Sequence, residues 1–149
     1  MLTRTLNSEQ ETEALGRKIA RIAQAGDFVA LFGDLGAGKT TFCRAFIREM
    51  TQSDIDVSSP TFTLVQTYEA KRALIWHFDL YRLEHQDELM ELGMDDAMDG
   101  VTLVEWPERM GDALPMTRLD VTLQFSPEGR VAALNPHGPE WSERLNVIS

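Results

Sequence analysis

Cysteine is almost absent from this chain. Its one thiol, Cys43, has no partner for an internal disulfide. No apolar run approaches the roughly 20 residues that a membrane helix needs, and no membrane contact is expected. The stretch Met1–Thr5 lacks the apolar core of a signal peptide. Together these absences point to the cytoplasm. Positive charge is also scarce, with 14 basic residues against 24 acidic and a net charge of −10. A domain that grips nucleic acid by itself usually carries a basic stripe, and no basic run here is longer than a pair such as Lys71–Arg72. DNA is therefore not an expected ligand, and contact with RNA is expected only through a partner. Plain solubility is the other reading of the acidity. Internal repeats and low-complexity segments are missing as well, and 149 residues of ordinary apolar content suit a single domain spanning 1–149.

The elements follow from periodicity. Ser8 is a candidate N-cap, with Glu11 placed three residues on as its capping-box partner. Leu15, Ile19, Ile22 and Ala23 keep helical spacing until Gly26. Phe28–Phe32 is a short continuous apolar run, which suits a strand buried on both faces of a parallel sheet. A glycine-rich turn follows, then a helix from about Lys39 to Met50 with Phe42, Ala45 and Phe46 on one face. Thr61–Glu69 and Ala73–Leu80 read as a strand hairpin, Asp87–Leu92 as a short helix, and Val101–Glu105 as a central strand stopped by Trp106–Pro107. Leu119–Phe125 and Val131–Leu134 form a second antiparallel hairpin, and Glu140–Val147 a terminal helix. The sum is an α/β, P-loop NTPase-like three-layer domain with a mixed, partly parallel sheet. Residues 115–149 carry no motif and read as structural edge strands, with a docking surface as the alternative.

Gly33-Asp34-Leu35-Gly36-Ala37-Gly38-Lys39-Thr40 fits the pattern G-x-x-x-x-G-K-[ST]. Glycines let the backbone turn around a phosphate, and successive N–H groups with a helix N-terminus supply partial positive charge. Lys39 is a compact cation for the β and γ phosphates. Thr40 offers a hard hydroxyl oxygen to Mg²⁺. Chance alone yields this pattern in roughly one of a couple of hundred chains of this length. The apolar strand before it and the amphipathic helix after it make a plain glycine turn the weaker reading. The pattern by itself fits kinases, GTPases, ATPases and nucleotide switches alike.

Such a cradle needs a carboxylate on a neighbouring strand to hold the metal or its waters. Asp79 and Glu105 each end an apolar strand, where ligands bind in open α/β sheets. Either could equally be an ordinary strand-end carboxylate in solvent. Thr61, in Ser59-Pro60-Thr61-Phe62, occupies the region where P-loop switches carry a threonine that senses the γ-phosphate; a Ser-Pro turn opening a strand is the plainer alternative. Trp106 reads as core or interface. Cys43 reads as a small packed residue, and His77, His85 and His137 are too scattered to make a metal site in sequence. An Asn-Lys-x-Asp guanine-reading motif is missing, which favours ATP over GTP. No Arg-rich lid segment is present, which counts against a small-molecule kinase. Arg82 and Arg109 are the candidates for an arginine finger, neither of them evident.

The four stretches Gly33–Thr41, Ser59-Pro60-Thr61-Phe62-Thr63-Leu64-Val65, His77-Phe78-Asp79-Leu80-Tyr81-Arg82-Leu83 and Leu103-Val104-Glu105-Trp106-Pro107-Glu108 together resemble the TsaE (YjeE) family. Their order and spacing match over roughly residues 5 to 110. The resemblance implies a slow ATPase that binds ATP/ADP with Mg²⁺ and acts on the TsaB–TsaD pair. That pair attaches threonylcarbamoyl to the adenosine beside the anticodon of tRNA, so tRNA is met only indirectly and this chain does not perform the transfer. Carried over by position, Gly33, Asp34, Leu35, Gly36, Ala37, Gly38, Lys39, Thr40 and Thr41 would hold the nucleotide. Thr40 and Glu105 would serve the metal. Lys39, Asp79, Glu105 and the switch-like Thr61 would serve hydrolysis. Trp106 matches an aromatic near the nucleotide or the partner surface, and Ser8–Glu11 aligns loosely with a segment near the adenine. A P-loop kinase and a nucleotide-gated binding module remain the alternatives.

Overall fold

The computed structural model of the chain describes residues 1–148. One sheet of seven strands runs through it, and the strands sit in the order β1-β7-β6-β2-β5-β4-β3. They are β1 (Leu2–Leu6), β2 (Phe28–Phe32), β3 (Val65–Glu69), β4 (Leu74–Asp79), β5 (Val101–Glu105), β6 (Arg118–Ser126) and β7 (Gly129–His137). The four inner strands β6, β2, β5 and β4 are parallel to one another. Antiparallel neighbours close both sides, β3 on β4 and β7 with β1 on β6. Every residue of β5 is buried, as are Phe28 to Leu31 of β2. That is why both read as unbroken apolar runs rather than alternating ones.

Helices α1 (Glu9–Ile22), α2 (Lys39–Thr51) and α5 (Pro139–Ile148) cover one face. There Leu15, Ile19, Phe42, Phe46 and Trp141 pack on Val29, Leu31, Leu103 and Val121. The short helices α3 (Glu88–Glu91) and α4 (Met94–Ala97), with a 3₁₀ segment at Pro107–Ala113, cover the other face through Leu89, Met94 and Met110. The expected three layers are thus present. Helix α1 lies so close on α2 that a Cβ on Gly16 would sit 2.6 Å from the Phe42 carbonyl oxygen. Only glycine allows that approach.

Several expectations need correction. Ser8 does cap α1, its hydroxyl taking the Glu11 N–H at 3.2 Å, but the Glu11 carboxylate turns to the N–H of Asn7. Leu2–Leu6 is a strand that its sequence pattern did not announce, added as an edge because β7 leaves a free side. The hairpin of residues 115–149 is not a pair of edge strands. Its first member, β6, runs parallel beside β2 in the interior, and the edges are β1 and β3. Strand β3 begins at Val65 rather than Thr61, because Leu64 takes a left-handed backbone (φ 69°) and closes a turn onto the Pro60 carbonyl at 2.7 Å. The helix expected over Asp87–Leu92 shortens to Glu88–Glu91, and a second helical turn follows Gly93. Among the described residues, no helix is long and apolar enough to cross a membrane.

Helix α5 is bound to the domain by the Trp141 side chain, 1% exposed, and by Arg144, which forks onto Asp27 at 2.6 and 3.0 Å. Trp141→Ala should therefore lower the urea-unfolding free energy by about 3–5 kcal/mol, the range for deleting a buried aromatic. A loss under about 1 kcal/mol would mean that α5 is not part of the cooperative core.

Candidate functional site

The glycine-rich turn leaves the C-terminal end of β2 and wraps back into the first turn of α2. Gly33 has φ +147°, and a Cβ there would meet the Leu123 carbonyl oxygen at 2.5 Å, so the turn is pressed against β6. Leu31 pairs in register with Glu105, and Asp79 with Glu105. The ends of β2, β5 and β4 therefore lie side by side under the N-terminus of α2. Alternation then decides which side chains face α2. Ile75, Val101 and Leu103 belong to the core beneath that helix, so His77, Asp79 and Glu105, at even spacing from them, share its side.

The result is a cleft of about 200 Å³ whose walls include Lys39, Thr40, Thr61, Asp79, Glu105 and Trp106. Lys39, Thr40, Thr61, Asp79 and Glu105, all expected from sequence, meet here, and Gly36, Gly38 and Thr41 line the same cleft. Asp34 and Gly33 border a neighbouring hollow beside Trp106 and β6. Leu35 also borders the cleft, 65% exposed.

Two carboxylates organise the cleft, and neither is in solvent, as one reading of the sequence allowed. Glu105 is 2% exposed and Asp79 4%. Buried carboxylates need donors, and each has a set of its own. Glu105 Oε1 accepts from the Thr40 hydroxyl at 3.0 Å, and Oε2 faces His77 Nε2 at 2.6 Å. Asp79 Oδ2 accepts from Ser59 at 2.9 Å and Thr61 at 3.0 Å, while Oδ1 accepts the Tyr81 N–H at 3.0 Å. Glu105 is thereby tied to the P-loop helix and Asp79 to the Ser59–Thr61 loop. The bond to Asp79 is also why Thr61 turns into the cleft instead of opening β3.

Lys39 is buried, and its ammonium donates to the Gly33 carbonyl and lies 3.5 Å from the centroid of the Trp106 ring. Trp106 holds a left-handed backbone (φ 59°, ψ 51°), unusual for a bulky residue, and its ring meets Tyr81 at 4.9 Å. Burial pushes the Lys39 ammonium below its ordinary value; Glu105, Glu108, Asp79 and Asp34 oppose that shift without cancelling it.

Two functional candidates escaped the sequence. His77 was set aside with the other histidines as scattered, yet it is fully buried against Glu105. A histidine inside an apolar strand run, two residues before a strand-end carboxylate, was the available signal. Arg130 on β7 donates to the Gly36 and Ala37 carbonyls at 3.1 and 3.2 Å and bounds a second hollow, of about 280 Å³, with Asn7, Ser8 and Thr12 of the α1 start. No local signal pointed to it, because 93 residues separate it from Ala37. Of the two arginine-finger candidates, Arg82 stacks on the exposed Phe62 at 4.6 Å, and neither it nor Arg109 lines the cleft.

Among the described residues, ligand atoms of Cys43, His77 and Glu105 lie within 4.8 Å of one another. They do not form a zinc-type set. Two ligands of one zinc stand about 3.3 Å apart at ordinary bond lengths, whereas His77 and Glu105 are at hydrogen-bond distance. Burial, reinforced by Glu105 and Asp79, also pushes the Cys43 thiol well above its ordinary value and keeps it protonated. The oxygen donors of the cleft are instead hard ones, from Thr40, Glu105 and Asp79. They suit a divalent cation of the Mg²⁺ kind, beside a ring of backbone N–H groups of the kind that binds phosphate.

A glycine-rich turn between a buried parallel strand and a helix, with acidic strand ends beside it, defines a P-loop NTPase-like α/β protein. The model of the family described as threonylcarbamoyl adenosine biosynthesis protein TsaE matches residues 6–132. The tRNA threonylcarbamoyladenosine biosynthesis protein TsaE of Rickettsia conorii is 44% identical over 97% of this chain and 83% of its own length. Its counterpart in Bacillus subtilis is 42% identical over 81% and 75%. The crystal structure of Bacillus subtilis YdiB superposes with a TM-score of 0.81 at 29% identity, covering 99% of this chain and 93% of that one. The chain belongs to the TsaE family, named for tRNA threonylcarbamoyladenosine biosynthesis.

The lowered Lys39 value has a consequence for stability. The folded protein releases this proton before the unfolded chain does, so stability from this group rises as pH climbs through the lowered value towards about 10.4. The unfolding free energy of the wild type relative to Lys39→Met should increase as the pH is raised towards about 10.4. A flat or falling difference in urea titrations would mean that the four carboxylates, not burial, dominate the ammonium.

Proposed function

We propose that this chain binds ATP with Mg²⁺ in the P-loop cleft and hydrolyses it slowly, and that this cycle serves a TsaB–TsaD pair in tRNA modification. The observation that carries the reading is the bond between Thr40 on α2 and Glu105 at the end of β5. It joins the hydroxyl expected to meet the metal to the acid expected to serve it, across 65 residues of sequence. Family membership supports the link to threonylcarbamoyladenosine and, by extension, the partners.

The roles follow from position. Backbone N–H groups of Gly33 to Thr41 surround the phosphates, and Lys39 exchanges its contact with the Gly33 carbonyl for phosphate oxygens. Thr40 and Glu105, with Asp79 across the cleft, would hold Mg²⁺, which would neutralise phosphate charge there. Thr61, anchored on Asp79, faces the same space and is placed to respond to a γ-phosphate. The hollow between the start of α1 and Arg130 opens beside Gly36 and Gly38 and is a fitting site for the base. With neither Arg82 nor Arg109 in the cleft, Lys39 is the one cation among the described residues lining it to stabilise the charge that develops on the transferred phosphoryl group. Intrinsic turnover is accordingly slow, and a partner accelerates it.

ATP hydrolysis measured with the purified chain, with and without TsaB–TsaD, tests this. The expected result is a rate well below the ~10 s⁻¹ of a typical enzyme, a clear rise with the pair, and loss of both in Lys39→Ala. No rise with the pair would remove the partner-gated reading. Bound nucleotide without any turnover would favour a binding module.

A further inference from the structure

His77 is the buried member of the cleft cluster to which the proposed function gives no role. Ile75, Val101 and Leu103 lie beside it on the same sheet face, with Asp79 and Glu105 as its polar neighbours there, so apolar packing gives no reason for an imidazole. A buried histidine in a purely structural role usually satisfies both ring nitrogens. Here Nδ1 has no hydrogen-bond partner among the described residues, while Nε2 stands 2.6 Å from Glu105. The ring's polar interaction therefore goes into one bond. A carboxylate with two donors to satisfy it accepts, so the proton lies on Nε2. The unpartnered Nδ1 is then a lone pair rather than a stranded N–H.

That bond occupies Oε2 of Glu105 and leaves Oε1 to the Thr40 hydroxyl. With one oxygen pinned, the carboxylate cannot rotate, and the Thr40 proton has a fixed acceptor. The lone pairs of Thr40 are then left free towards the cleft. We propose that His77 is a positioning residue: it holds Glu105 so that Glu105 orients the Thr40 hydroxyl for a divalent cation. This inference rests on the nucleotide–Mg²⁺ reading above and adds to it the residue that sets cation affinity from beneath. Outer partners of this kind typically govern about 10–100-fold in metal affinity.

The Mg²⁺ titration uses the full chain as wild type, His77→Leu, His77→Asn and His77→Gln. Fluorescence anisotropy of mant-ATP is followed as Mg²⁺ is added. His77→Leu and His77→Asn should bind mant-ATP without Mg²⁺ as the wild type does, which also shows that they are folded. Both should need on the order of tenfold more Mg²⁺ for half-effect. His77→Gln, whose amide nitrogen reaches the Nε2 position, should recover most of the difference. Independently of nucleotide, ¹⁵N NMR of the imidazole should place the proton on Nε2, and Glu105→Gln should move the Nε2 resonance far more than that of Nδ1. Equal Mg²⁺ requirements in wild type and His77→Asn, or a proton on Nδ1, overturn the inference and leave the nucleotide reading standing. A wild type whose mant-ATP binding ignores Mg²⁺ overturns both. If His77→Leu fails to fold, the comparison of His77→Gln with His77→Asn decides.

Discussion

Parallel pairing of β2 with β5 is the constraint on which the rest of the molecule depends. It sets Leu31 opposite Glu105, so the strand that feeds the P-loop and the strand that ends in the acid finish at the same level. Parallel neighbours require a crossover, and the chain between them supplies α2, the β3–β4 hairpin and the two short helices. Both strands must then be covered on both sides. That demand accounts for the apolar runs, for the three layers, and for the close seat of α1 on α2 at Gly16.

Within that frame the two buried carboxylates serve as anchors for different segments. Glu105 gathers Thr40 from the P-loop helix and His77 from β4. Asp79 gathers Ser59, Thr61 and the backbone of Tyr81. Low local dielectric makes each of these bonds stronger and each broken one more costly. The cleft is consequently held in shape by polar contacts, while the sheet beneath it is held by apolar burial. Lys39 experiences both: desolvation works against its charge, and four surrounding acids and the Trp106 face work for it. On the reading proposed here, incoming phosphate would meet a cation poorly satisfied by water, which favours its transfer to phosphate oxygens.

Much of this was legible in the order of residues. The P-loop, its strand and its helix are local features, encoded by glycine spacing, a five-residue apolar run and helical periodicity, and they fall within a residue or two of expectation. Asp79 and Glu105 could be named because strand ends are recognisable and sites in α/β sheets gather there. Thr61 lies in the cleft with the two acids, but the strand assigned to it was wrong. Its conformation is set by a bond to Asp79, 18 residues away, which outweighs local β-propensity. The edge strand β1 and the interior position of β6 were illegible because strand order is decided by which edges remain open, a property of the assembled sheet.

What the sequence determined by itself is the chemistry available: the glycine-rich turn, the strand-end acids, the threonines and the family they mark together. The tertiary structure alone decided which of them meet. It buried both acids, brought His77 under Glu105, and carried Arg130 across 93 residues to the P-loop carbonyls. The physical reason is range. Turns and helices form from contacts a few residues apart, whereas a buried carboxylate takes whatever donors the register of neighbouring strands delivers, and that register belongs to the fold.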